Sequence, residues 1–207
     1  MPLPTSFVAD LKIRAARIYL ERNDELARTG SGVWAAELAA PTWAADLALA
    51  SRRPPEARAV DAKLRALGAN STMLLTDPSY AGPAADPGGT TIGAAIVTIH
   101  TISADRSQIR LTGLPAAYDL TAGDRLSVLW NTNHYWLAEV SSDATSDGAG
   151  LTPLFNVYPY VPGGITAGAT AELVAPVVEM RVRSYTGFEA LPGYLAGEAS
   201  LSLIQRP

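Results

Sequence analysis

Cysteine is missing from this chain altogether. Disulfides, thiolate metal sites and cysteine nucleophiles are therefore excluded together. Histidine is scarce as well, with only His100 and His134. Nucleophilic catalysis needs a base within hydrogen-bond reach of an activated side chain. His134 has no acid or nucleophile in register beside it, and His100 ends an apolar run, "AIVTIH". Both are expected to be dispensable.

Charge is also in short supply, at 17% of residues against roughly 25% in ordinary globular domains. Such a surface suits a protomer that meets other subunits, and equally a sequence drifting toward alanine. No basic block occurs and the net charge is −4 with a pI near 5.2, so the electrostatic footprint of a nucleic-acid binder is lacking. No apolar run reaches the roughly 18 residues of a membrane-spanning helix. The opening "MPLPTSFVADLK" has no basic segment followed by an apolar one, so no signal peptide is expected and synthesis is placed in the cytoplasm.

Motifs that carry chemistry are equally sparse. The sequence has no GxSxG elbow and no HExxH. Its paired glycines at 88–89 and 163–164 lack dinucleotide or phosphate-loop spacing. "DATSDG", residues 143–148, places Asp143, Thr145, Asp147 and Gly148 like the start of a calcium loop. Its twelfth position is Leu154, where a bidentate glutamate belongs, and Asp and Gly also cluster in plain hairpin turns. No enzyme activity, no cofactor and no metal site is expected.

What is present is pattern. "VWAAELAAPTWAADLALAS", residues 33–51, puts Trp43, Ala45, Leu47 and Leu49 on one side of a strand, although its alanines also suit a helix. Residues 55–67 read as an amphipathic helix. Pro54-Pro55 suits a first turn, Glu56 favours the helix dipole, Val60, Leu64 and Leu67 recur at helical spacing, and Gly68 supplies a stop. "STMLL" (71–75) reads as a buried strand. Residues 76–93, rich in Pro, Gly and Asp, read as a connection too polar and too broken to pack.

From residue 94 the period is two, in short segments bounded by Gly, Asp, Asn or Pro, which predicts one compact β module over 94–175. A last strand is expected near 198–205, after a Gly/Pro loop at 186–197. Within the module, "AYDLTAGDRLSVLWNTNHYWLAEV" (117–140) reads as a hairpin. Leu126, Val128 and Trp130 alternate with Arg125, Ser127 and Leu129, "NTN" turns the chain, and Tyr135, Leu137 and Glu139 alternate with Trp136, Ala138 and Val140. Its rings are read mainly as inward payload. The alternative is a carbohydrate- or receptor-binding module in which Trp130, Tyr135 and Trp136 stack sugars. The predicted fold class is mainly β, in sandwich or barrel modules, with one amphipathic α-helix near 55–67.

From about residue 30 to the end, the order of segments resembles distal tail proteins at the tail tip of siphophages and prophages of alphaproteobacteria. The resemblance is carried by "GVWAAELAAPTWAADLAL", "LRALGANSTMLLTDP", the Pro/Gly loop, "LTGLPAAYDLTAGDRLSVLW", "YWLAEVSSDATSDGAG" and "FNVYPYVPGGITAGATAELVAPVVEMRV". It implies a virion structural protein that forms a closed ring, commonly of six copies, between the tail tube protein and the baseplate hub protein. The tape measure protein is a further candidate partner. It also implies a ring-forming β domain (1–80 with 176–207) and a peripheral barrel-like module (94–175), joined through the linker at 76–93. The family brings no catalytic residues, and the composition adds the expectation of no membrane contact and no specific nucleic-acid binding.

Overall fold

The computed structural model of the chain describes residues 5–30, 32–67, 71–130 and 134–206. The predicted turn at Asn131–Asn133 and the helix stop at Gly68 lie outside the described residues. The protein is mainly β. A short helix α1 (Thr5–Asp10) precedes two long strands, β1 (Ile13–Thr29) and β2 (Gly32–Leu49), then helix α2 (Pro54–Arg65) and strand β3 (Thr72–Thr76). Next come β4 (Thr98–Ile102), β5 (Gln108–Thr112), β6 (Asp119–Leu120), β7 (Arg125–Trp130) and β8 (His134–Val140). They are followed by β9 (Ala144–Thr145), β10 (Phe155–Tyr158) and β11 (Ala171–Glu172). The chain ends through β12 (Val177–Tyr185), β13 (Ala190–Leu191), β14 (Leu195–Ala196) and β15 (Ala199–Gln205).

These elements divide into two compact units. One comprises Leu74–Glu179, and the other Leu3–Met73 with Met180–Pro207. Strands β3 and β12 carry the chain between them. The first unit is a near-barrel. Its six-stranded sheet runs β11-β7-β8-β10-β5-β4, and a bridge between Thr98 and Thr170 brings its two ends together. Around that seam the Ala171 amide donates to Val97 and the Ile99 amide to Ala169, both at 2.9 Å. Closure removes open edges. Alternate residues of the strands then fill the interior, with Ile99, Ile109, Leu111, Leu126, Val128, Trp136, Phe155 and Val157 all buried.

The segment at 76–93 departs from expectation. It is packed into this unit rather than left as a polar connection. Pro83, Asp86, Gly89 and Ile92, three residues apart, are each buried, and Ile92 joins the barrel core. Gly89 has φ +67°, and a Cβ there would lie 2.4 Å from a Val174 methyl, so only glycine fits.

The second unit is built on a five-stranded sheet, β1-β2-β15-β12-β3. Trp43, Ala45, Leu47 and Leu49 are buried on one face of β2, as the alternation predicts. Strand β1 has no such signature. Its run "IRAARIYLERNDELART" is composed mostly of good helix formers, yet it pairs with β2 from Ile13↔Leu49 to Thr29↔Gly32. Non-local pairing overrides local propensity here. Two β2 residues, Ala40 and Pro41, oppose the single Arg22 at a register shift. The bulge accommodates a residue without an N–H, and the Asn23 side-chain amide donates to the Ala40 carbonyl at 3.0 Å.

Helix α2 occupies most of the predicted span. Pro54 and Pro55 fill its first turn, Glu56 sits at the positive end, and Lys63 and Arg65 at the negative end. Ala57, Val60 and Leu64 form its buried face, while Leu67 lies beyond the last turn and is half-buried. Leu64→Asp would place an unpaired carboxylate at a site 4% exposed. The expected result is a large drop in thermal stability or aggregation, followed by circular dichroism; an unchanged melting curve would contradict this packing.

Candidate functional site: the aromatic hairpin, the carboxylate clasps and the open ribbon

The three rings considered for sugar stacking are separated by the pleat. In β7 and β8, Trp130 pairs with His134, Leu129 with Tyr135 and Val128 with Trp136. Directly opposed residues share a face, so Trp130 and Trp136 point to the barrel interior and Tyr135 to the other side. Trp136 is 3% exposed. Trp130 packs partly against the core, so close to Gly164 that a Cβ there would sit 2.6 Å from its ring. The three rings thus share no single surface.

His134 has a neighbour that local sequence does not reveal. Its Nδ1 lies 3.9 Å from Oε2 of Glu179, a buried carboxylate at the start of β12, and its ring is 5.5 Å from that of Trp130. His100 is exposed, with Nδ1 2.7 Å from the Thr101 hydroxyl.

The calcium-like stretch is engaged in turn chemistry. The Asp143 carboxylate accepts the Ala122 amide at 2.8 Å, and Asp147 accepts the amides of Ala149 and Leu151 at 2.8 and 3.0 Å. Those amides, Leu151 foremost, hold the Asp147 carboxyl below its ordinary value. The Thr145 hydroxyl donates to Asp119 at 2.6 Å.

Two buried carboxylates order the 76–93 segment, Asp86 from within it and Asp124 from the turn before β7. Asp86 accepts the amides of Thr91 and Ile92, each at 2.9 Å, and the Thr90 hydroxyl at 3.2 Å. The Thr91 amide is the main reason its carboxyl is held below the usual range. Asp124 accepts Ala84 N–H through one oxygen and Thr121 N–H through the other, both at 2.8 Å. One side chain thereby ties the segment to the turn before β7. Two tyrosines complete the clasp. The Tyr80 hydroxyl donates to the Arg125 carbonyl and accepts the Arg125 amide, and the Tyr118 hydroxyl donates to Asp86 at 3.4 Å. Burial pushes the Tyr80 phenol up to about 12, and burial followed by the Asp86 charge raises that of Tyr118, so both remain protonated donors. Arg125 pairs with Asp77.

The most distinctive surface of the second unit is the β1–β2 ribbon. β15 pairs with β2 only from Ala199↔Leu49 to Ile204↔Ala44, and the Gln205 side chain reaches the Trp43 amide at 3.1 Å. Over residues 33–42, β2 has β1 on one side and, among the described residues, no strand on the other. An isolated two-stranded ribbon is marginal in water, and an open edge is a template for pairing with another chain. Its outer half combines exposed Arg22, Asp24, Glu25 and Arg28 on β1 with exposed Ala36, Leu38, Ala39 and Ala40 on β2.

This architecture defines a two-unit, mainly β protein in which a near-barrel accompanies a sheet bearing a long open ribbon. No protein-family model matches the sequence, and no curated protein matches it.

The clasp predicts a local phenotype. Asp124→Ala strips acceptors from the Ala84 and Thr121 amides and should cost about 1–3 kcal/mol, with new proteolytic cleavage between residues 77 and 93. Intact resistance to protease would argue against the clasp. Acid should act on the same near-barrel unit, because a carboxyl depressed in the folded state stabilises above its unfolded value and loses that contribution as pH falls through its folded one. Asp105, held down to about 2 first by the Ser103 hydroxyl and then by Ser107, together with Asp86 and Asp147, places this loss below the ordinary 3.8 and toward about 2. A near-ultraviolet circular dichroism titration that instead changes mainly above that range would contradict the assignment.

Proposed function

We propose that this chain is a virion structural protein, a distal tail ring component that joins the tail tube to the baseplate hub of a siphophage. The order of its segments from about residue 30 onward supports the reading through the resemblance. The single observation that carries it is the ribbon. A strand pair that runs on for ten β2 residues, 33–42, past its third strand is poorly suited to solitary life in water and well suited to a neighbour. A low charged fraction, 17%, makes broad contact between copies inexpensive in desolvation.

In this role the copies meet head to tail with a rotation that closes, which requires two different complementary surfaces on each chain. The ring has six copies, with the tail tube protein on one face, the baseplate hub protein on the other, and the tape measure protein as a further contact. Polar or acidic residues line its lumen, where like charge keeps passing DNA from adhering. The near-barrel unit is the peripheral module. Its rings, tied into the interior or divided between faces, act as scaffold.

Location is the test. A reconstruction of the particle, or antibody labelling of intact virions, is expected to place this chain in a closed ring at the junction of tube and hub. Finding it in the capsid, the neck or a peripheral fibre would overturn the reading.

A further inference from the structure

The second unit exposes large apolar side chains in two places. Among its described residues these are Leu38 on the ribbon, 69% exposed, and Leu191, Tyr194 and Leu195 at the β13–β14 hairpin, 40%, 71% and 42% exposed. The hairpin forms one wall of an open groove of about 480 Å³, whose other wall is α2, with Ala57 at its floor and Arg58 and Glu189 at its rim. A cluster of this kind on a soluble surface marks a contact site rather than scattered exposure.

The groove is held ready. Arg52 and Ala196 exchange backbone hydrogen bonds at 3.1 and 2.9 Å, and the Arg52 guanidinium lies 4.7 Å from the centre of the Phe188 ring. The buried face of the same guanidinium donates to the Leu11 carbonyl. On the opposite wall the Tyr185 hydroxyl donates to Asp61 of α2. At the hairpin tip Tyr194 has φ +59°, a left-handed conformation that a bulky residue adopts at a cost. Strain of this sort persists where the surrounding structure enforces it, characteristically at clamps and binding edges.

Ribbon and groove complement one another in charge as well as apolar character. At the groove Arg58 and Glu189 are exposed, and neither makes an ion pair among the described residues. On the ribbon the same holds for Glu25 and Arg28. Each surface therefore presents one cation and one anion available to the other.

A chain cannot satisfy this pairing within itself. The groove lies at the base of the ribbon, where Arg52 follows the end of β2 at Leu49. The ribbon leads away from that base for ten residues past its last β15 contact, roughly 30 Å at strand rise. We infer that the groove between α2 and the β13–β14 hairpin receives the β1–β2 ribbon of a second copy of this chain, with Leu38 seated against Leu191, Tyr194 and Leu195. The contact is heterologous, one surface meeting a different one, so it propagates from copy to copy. It rests on the ring reading for its closure, but the contact itself is tested separately.

The absence of native cysteine makes disulfide mapping clean. The full chain carrying both Leu38→Cys and Leu195→Cys, mildly oxidised, is expected to give a ladder of covalent oligomers on non-reducing gels, with electron microscopy of the same sample showing rings. Each single variant should stop at a dimer at most, and adding Tyr194→Asp to the double variant should abolish the ladder while circular dichroism stays unchanged. Absence of a ladder from the double variant overturns the contact. Rings seen without a ladder overturn the contact and leave the ring reading standing. A ladder accompanied by open filaments sustains the contact and counts against closure.

Discussion

Every residue of a β-strand carries an N–H and a C=O that require partners, and a strand interior to a sheet finds them on both sides. In this protein that requirement is met unevenly. The near-barrel unit meets it by joining β4 to β11 through the Thr98–Thr170 bridge. In the other unit β2 is flanked by β1 and β15 from Ala44 to Leu49, and over residues 33–42 it has, among the described residues, β1 alone. The open ribbon follows from this geometry, and the proposed contact with a second copy is built on it.

The two units also solve their loops differently. In the near-barrel, carboxylates do what backbone pairing cannot. Asp86 and Asp124 gather amides from a segment with no strand of its own, and Arg106 reaches the carbonyls of Val161 and Ile165, both at 2.7 Å. Buried polar groups satisfied in this way favour one conformation over its competitors. The second unit spends fewer buried charges. Its principal buried cation, Arg52, fixes the hairpin that walls the groove.

How much of this was legible in the sequence varied with the range of the interaction. Helix α2 was readable because its signals are local: prolines and Glu56 at the start, and Val60 and Leu64 one turn apart. The β7–β8 alternation was readable because the pleat has a period of two. Strand β1 was not, since alanine, arginine, glutamate and leucine carry helical propensity and only the β2 register makes the segment extended. The packing of 76–93 was hidden for a related reason. Its composition is that of a loop, and the acceptor for Ala84 is Asp124, far along the chain. The acid beside His134 comes from Glu179, equally far. The groove had no sequence signature beyond "ALPGYLAG", where the glycines and proline announced a turn but not its exposed Leu and Tyr side chains.

On the proposed reading, the outer ribbon, where β2 has only β1 beside it among the described residues, gains a partner on assembly. Hydrogen exchange of its backbone amides addresses this most directly, because opening is easiest where few groups hold a segment. Amides of residues 22–42 should exchange rapidly in the isolated chain, while those of Ala44–Leu49, flanked on both sides, stay protected. In the assembly proposed above, the residue 22–42 amides should slow by about tenfold or more. Equal exchange in the free and assembled states would contradict the account.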